Sequence, residues 1–425
     1  MSIVRTLCSA FLRRRSAGSL SAANDTDLLL NSTKAHDVDP NKLEDEQPVH
    51  EFIRNKQYAV LLCYHGENYL GLQFNDNGPT IESHLFAALI RAGFVSKSDY
   101  KESRYKLRYT RASRTDSGVS ALRQTISLSL PREFNADELN AHLPYDVRAV
   151  GSIRVTKSFD AQKWCDHRSY CYIMPSFALC NWMNESKIRV SYRADAYTLS
   201  MTNEIFKVFE GTHRFHNYTV KRDMWDKRSV RSVLSASISN VFLYGDLEMV
   251  AFHIKGKSFM LHQIRRMIGM TIAIMRGRAT PDFIQNSFEN PLLPAPTAPS
   301  LGLILEKQYF DNYNRLHKKM PPLVWDEYDS EVEKFKHEVV VPRIVEVELK
   351  ENSYPLTSTN FQPVFTVSKF LRVSLTQASM ENYLRDVKKH SFTKHPESSK
   401  LTTLGEWKGL ELDEEDVKII AKYQK

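Results

Sequence analysis

Residues 111–130 read RASRTDSGVSALRQTISLSL, a polar loop around Asp116 that runs straight into an alternating segment. Over 124–130 the apolar Ile126, Leu128 and Leu130 interleave with Thr125, Ser127 and Ser129. Side chains on a strand point to alternate faces, so this spacing predicts a strand with one face buried and one in water. In the loop before it, extended backbone puts Arg114 and Asp116 on one side, and Gly118 permits the positive φ that lets the chain double back. A guanidinium so close favours the ionised carboxylate, the state a nucleophile needs at neutral pH. Taken alone, R-T-D-x-G describes a surface Arg–Asp pair in a turn equally well, so the neighbouring segments have to decide.

Working outward, residues 58–64 (YAVLLCY) form a short apolar run ending at His65-Gly66, the pattern of a buried strand. Pro79 and Thr80 open a helix with Ile81, Leu85, Ala88, Leu89 and Ala92 on one face. Asn135 and Glu138 have capping spacing for a short helix, and 149–155 alternates again. A second half repeats the theme, with a strand over 168–174, a helix over 199–209 and strands near 230–239 and 247–254. A long helix follows over 260–275, where Leu261, Ile264, Ile268, Thr271, Ile272 and Met275 make one stripe. Pro291, Pro294, Pro296 and Pro299 stiffen the loop before a closing strand at 303–306. The expected organisation is a targeting and linker region over 1–50, an N-terminal half over 51–160, a C-terminal half over 161–313 and a charged, partly helical extension over 314–425. That extension holds a helix near 326–338 and a Lys- and Glu-rich tail from about 375.

The 425 residues are 42% hydrophobic and 25% charged, which suits a chain able to bury one or two substantial cores. A net charge of +8 and a pI near 9.0 give a positive field that would concentrate a polyanion, although 58 basic against 50 acidic residues is a modest excess. Five cysteines without a C-x-x-C pair argue against both a disulfide framework and a cysteine zinc site, and fit a reducing compartment. No run approaches the roughly 18 apolar residues that span a bilayer. The first 24 residues carry Arg5 and Arg13-Arg14-Arg15 with no acid, and Ile3, Val4, Leu7, Ala10 and Phe11 recur at helical spacing. This is the bias of a mitochondrial transit peptide, with a disordered basic tail as the alternative.

Other constellations are ambiguous singly. Arg168, Tyr170 and Tyr172 share one strand face, a surface suited to bases and phosphates or simply the tyrosines of a sheet. Tyr64, Tyr69 and Gln73 lie in a glycine-rich turn after the first strand. His213 and His216 are three apart, a zinc spacing with no obvious thiolate or carboxylate partner, and with Asn217 they suit phosphate and sugar contacts better. In the segment from Lys257 through His262 and Gln263 to Arg265 and Arg266, a cation at a helix start is poorly placed unless something anionic sits nearby.

In this order, over about 250 residues, these segments closely resemble the TruA-type tRNA pseudouridine synthases. The family pattern Y-x-G-x-x-Y-x-G-x-Q matches 64–73, R-T-D-x-G-V-x-A matches 114–121 and R-x-Y-x-Y matches 168–172. G-x-H-x-F-x-N matches 211–217 and Q-I-R-x-M-x-G matches 263–269, while A-P-x-x-G-L matches 298–303 with one identity looser than the rest. Ser120, where bacterial members usually show His, is similar to the eukaryotic pseudouridine synthase 1 branch. The resemblance implies an α+β fold of two halves meeting in a central antiparallel sheet with the cleft between them. It also implies isomerisation of uridine to pseudouridine in tRNA, or in other RNA as well, without cofactor or metal, by a monomer that needs no membrane. Asp116 would be the nucleophile, on the sugar or on the detached base. Arg265 would pair with it, Tyr170 would stack on the flipped uracil and relay the C5 proton, and Arg114 would hold the extruded nucleotide. Tyr64, Tyr69, Gln73, Arg168, Tyr172, His213, His216, Asn217, Lys257, His262, Gln263 and Arg266 would line the RNA. The alternative is a catalytically silent RNA-binding or chaperone protein on the same scaffold. The location expected is mitochondrial, alone or with a nuclear pool.

Overall fold

The structure, a computed structural model, describes residues 55–102, 107–180, 192–220, 222–277, 279–291, 293 and 295–351, together with residue 40. The basic leader and the tail from 375 lie outside the described residues, as does the acidic segment 25–50 apart from Pro40.

One mixed sheet organises the fold. Its strands are β1 (Lys56–Tyr64), β2 (Thr110–Arg111), β3 (Ser120–Leu130), β4 (Val147–Arg154), β5 (His167–Pro175), β6 (Gly211–Arg214), β7 (Val230–Ile238), β8 (Phe242–Tyr244), β9 (Leu247–Gly256) and β10 (Leu303–Tyr309). They run in the order β4-β1-β3-β10-β5-β9-β7-β6, with β2 on β3 and β8 on β9. The two halves therefore share a central sheet, as expected, with one departure from an antiparallel arrangement. The ladder joining them, β3 to β10, is parallel and pairs Ser120 with Ile304 and Ala121 with Leu305. A parallel neighbour needs a long crossover, which the whole second half supplies.

After two residue pairs β3 and β10 diverge, and side chains bridge the gap. Gln308 Nε2 donates to Gln124 Oε1 at 2.6 Å while Gln308 Oε1 accepts the Thr125 N–H at 2.8 Å. The freed edge of β3 is taken by β2, which pairs Thr110 with Ser127 and Arg111 with Ile126. The chain between β2 and β3 is the Asp116 loop, so it emerges where the two halves part.

Helix α1 (Ile81–Arg91) starts where Pro79-Thr80 predicts, through a capping box in which Thr80 and Ser83 bond each other's backbone N–H, both at 3.1 Å. In the second half α2 (Ala196–Lys207) packs on β7 and on α3 (Gln263–Met275), with Phe206 edge-on to Phe252 at 5.0 Å. The half-buried reading of β3 fails, because every residue of the strand is buried. Thr125, Ser127 and Ser129 face partners instead of water: Trp325 Nε1, Thr110 Oγ1 and Gln57 Oε1 lie 3.1, 2.6 and 2.6 Å from their hydroxyls. Their cover comes from Leu323 and Trp325, then α4 (Asp329–Phe335) and α5 (Val341–Glu351), whose Val332, Phe335, Val341, Ile344 and Val345 join Ala59, Leu61 and Leu122 in one core. Among the described residues no helix is long and apolar enough to cross a membrane.

Candidate active site

The Asp116 loop is held by its neighbours rather than by its own secondary structure. Val119 N–H donates to the Asp116 carbonyl at 3.1 Å, closing a tight turn, and Gly118 takes φ +76 with the Ser300 hydroxyl where a side chain would be. The turn 64–73 lies beneath it. Tyr64 Oη and Thr115 Oγ1 are 2.8 Å apart, Leu72 N–H donates to the Thr115 carbonyl at 3.2 Å, and a Cβ on Gly71 (φ +99) would meet that carbonyl at 2.7 Å. From the second half, Arg168 donates to Ser113 Oγ, the Ala112 carbonyl and the Lys257 carbonyl, each at 2.7 Å. Strand β5 thus sets the loop's entry as firmly as the first half sets its exit.

Against this loop stand Tyr170 and the start of α3. Tyr170 is 8% exposed and meets Phe259 edge-on at 5.4 Å. Burial pushes its phenol up to about 12, the Asp116 charge acts in the same direction, and Ser113 bonds it, so it is a neutral hydroxyl at physiological pH. The carboxylate also acts on Arg265, whose pKa burial lowers while Tyr172 and Asp116 pull it back up, and the guanidinium stays charged. Arg265 Nε donates to the Ala298 carbonyl at 2.7 Å, which fixes the side chain. His262 caps this helix in the left-handed region (φ 61), unusual for a side chain other than glycine. Burial and Arg265 lower its pKa against the pull of Asp116, leaving a neutral imidazole at pH 7. The anion that a cation at a helix start requires is therefore Asp116. Arg114 is exposed at the loop, and Arg265, half-buried at the start of α3, is a cation on which the Asp116 charge acts.

Several residues expected to line the RNA face inward instead. Tyr64, Tyr69 and Tyr172 are buried, with Tyr69 Oη donating to Asp146 at 2.7 Å and Tyr172 Oη to the Pro299 carbonyl at 3.1 Å. Arg168 spends its guanidinium on the loop, as described above. His216 is buried against the Asn290 carbonyl (2.8 Å), and Asn217 Nδ2 donates to the Ser287 and Asn290 carbonyls while its Oδ1 accepts the Leu293 N–H. Gln263 is buried and accepts the Met260 N–H at 2.9 Å. These residues build the site from behind. Asn217 shapes the proline loop, and Gly269 admits that loop to α3, since a Cβ there would lie 2.3 Å from the Pro296 carbonyl. Gln73 and Lys257 are exposed, and His213, His262 and Arg266 are partly so. His213 stacks on Phe288 at 4.3 Å, and Arg266 Nη1 donates to the Asn217 carbonyl at 3.1 Å.

Sequence reasoning missed Glu82. It is wholly buried in α1, with Oε1 2.8 Å from both Arg111 Nε and Tyr109 Oη and Oε2 accepting the Phe74 N–H at 3.0 Å. It ties the strand from which the loop departs to the turn that supports it. A glutamate in the first turn of an amphipathic helix reads as a solvated dipole partner, so no sequence signal sets it apart.

Comparison with known proteins bears on this arrangement directly. A family model described as tRNA pseudouridine synthase matches residues 205–311. A mouse protein, pseudouridylate synthase 1 homolog, is 35% identical over 320 residues, covering 73% of this chain and 74% of its own length. The chain belongs to the tRNA pseudouridine synthase family. A human protein, also named pseudouridylate synthase 1 homolog, is 35% identical over 305 residues, 69% of this chain and 70% of that one. The tRNA pseudouridine synthase 1 of Eremothecium gossypii is 30% identical over 383 residues, 71% and 72% of the two chains. The TruA-type resemblance and the pseudouridine synthase 1 branch are thus borne out, and the matched family span carries His262 and Arg265 of the site.

Proposed function

We infer that this chain is an isomerase that converts uridine to pseudouridine in tRNA. The observation that carries the chemistry is the electrostatic grouping of one carboxylate, one half-buried guanidinium and one neutral phenol: the Asp116 charge acts on both Arg265 and Tyr170.

The isomerisation moves one bond. Breaking N1–C1′ leaves its electron pair on N1 and an electron-poor C1′, and Asp116 presents a carboxylate oxygen to the sugar or to the detached base. After the base turns, C5 bonds C1′, the bond to the Asp116 oxygen breaks to return the carboxylate, C5 gives up its proton, and N1 takes one, so nothing is added or lost. Arg265 counters the charge on Asp116 in a partly desolvated setting, where that field is strongest. Tyr170 offers its ring to the uracil. Because its phenol stays protonated, a proton taken from C5 passes onward in the same step, with Ser113 as the bonded neighbour. Arg114, exposed on the loop, helps hold the nucleotide in its extruded position.

The test is direct. The purified chain, incubated with an unmodified tRNA transcript, yields pseudouridine by mass spectrometry of the nucleosides. Tight binding without product would favour the silent RNA-binding alternative.

We further propose a mitochondrial site of action from the acid-free, arginine-rich first 24 residues. Residues 1–30 fused to a fluorescent reporter carry it into mitochondria; a diffuse or nuclear reporter would refute the leader.

A further inference from the structure

The chemistry uses one nucleotide, but a duplex or loop that gives up a base has to be gripped on either side of it. The connection between β6 and β7 has the build for such a grip. Strand β6 is the last of the sheet, and the connection's ends are clamped by the pairing of Arg214 with Val230 and by the bond from Phe215 N–H to the Ser229 carbonyl at 2.9 Å. Thr219 Oγ1 donates to the Leu261 carbonyl at 2.9 Å, one residue before His262, so the loop springs from the rim of the active site.

Within it, Asp223 Oδ1 accepts the N–H groups of Trp225 and Asp226, at 2.9 and 2.7 Å. The resulting turn presents Trp225 outward, 67% exposed, with the Arg214 guanidinium over its ring at 6.0 Å. Arg222 and Arg228 converge on the carboxylate of Asp226, at 2.8 and 3.0 Å, so that against the carboxylates of Asp223 and Asp226 the patch sets three guanidiniums, Arg214 included. Lys227 adds a further cation.

An indole two-thirds in water contributes little to a core. With the Arg214 guanidinium over its ring and two more on the neighbouring Asp226, it is also poorly suited to a protein partner, whose contact would strand those charges at the interface. A nucleobase suits it on both counts, because the ring stacks on the base while the cations meet its phosphates. We propose that Trp225 is a stacking platform for a nucleotide flanking the target uridine, with Arg214, Arg222 and Arg228 receiving the adjoining phosphates. This rests on the RNA-modifying reading of the Asp116 site.

The experiment uses the full chain and a tRNA transcript. Trp225→Ala raises Kd and KM together by about tenfold, the worth of one stacked base, while kcat stays within about twofold. Trp225→Phe recovers most of the affinity, since a smaller ring still stacks. Arg228→Ala lowers the slope of log Kd against log salt by about one contact's worth. A wild-type Kd in Trp225→Ala would overturn the proposal, as would a Phe variant no better than the Ala one. So would a fall in assembly mass by light scattering with unchanged tRNA affinity, which would make the patch a protein contact. Failure of the enzymatic reading looks different: the wild-type chain itself would bind tRNA and form no pseudouridine.

Discussion

Asp116→Ala keeps tRNA affinity within about twofold of wild type and lowers pseudouridine formation by at least about four orders of magnitude. Two structural facts separate binding from turnover here. The loop's shape is set by Gly118, by the Thr115 contacts with Tyr64 and Leu72 and by the Arg168 bonds to Ala112 and Ser113, none of which uses the Asp116 side chain. Exposed cations such as Arg114 and Lys257 are also untouched. What disappears is the oxygen proposed to attack, and with it a negative charge that acts on Arg265. Asp116→Asn, which keeps the size, restores none of the lost turnover if nucleophilicity is what matters. Filter binding and single-turnover mass spectrometry on the same preparations read both quantities. Turnover within a hundredfold of wild type in either variant would remove Asp116 from the mechanism.

Glu82→Ala destabilises the protein by about 3 kcal/mol and depresses turnover with it, although Glu82 reaches no reacting atom. Removing one partner of a buried ion pair costs about 3–5 kcal/mol, and the lower end applies because Arg111 is 21% exposed and can recruit water. Tyr109 Oη and the Phe74 N–H lose their acceptor in the same step. Both ends of the Asp116 loop then loosen: Arg111 begins it, and Phe74 closes the turn whose Leu72 supports Thr115. Glu82→Gln keeps an oxygen for Tyr109 and Arg111 but turns an amide donor toward the Phe74 N–H, so it recovers only part of the stability. Urea unfolding of the three proteins measures the ranking. An alanine variant within 1 kcal/mol of wild type would show the clamp to be dispensable.

Local signals in the chain were readable where their cause is local. The Thr80 cap, the glycine at 118 and the strands at 58–64 and 168–174 follow from period, capping chemistry and φ preference. The ordered motifs marked out the candidate site, because Asp116, Tyr170 and Arg265 each sit in one of them. Direction was not readable. Tyr64, Tyr69 and Asn217 carry the same motifs as residues at the surface, and only the packed structure shows that they point inward to hold loops. The hydroxyl face of β3 misled for a related reason. Its cover includes Trp325, 200 residues on in sequence from its partner Thr125, within a stretch whose charge suggested an extension rather than a core. Glu82 stayed hidden because its partners arrive from turns and a two-residue strand that no periodicity announces.

The parallel pairing of β3 with β10 also sets when this protein can first act. Gln124 and Gln308, which bridge the diverging strands, are 184 residues apart, and Arg168 reaches the Asp116 loop from a strand that β10 flanks. Closing so long a loop is entropically slow and brings no reward until its far end exists. On the ribosome, the first half can form β1, β3 and β4 early and brace the exit of its carboxylate loop, but the loop's entry stays unclamped until Arg168 and the strands that hold β5 emerge. A nascent chain that has not reached the second half therefore carries Asp116 without Tyr170, Arg265 or the Arg168 clamp, and the candidate site is assembled late in synthesis.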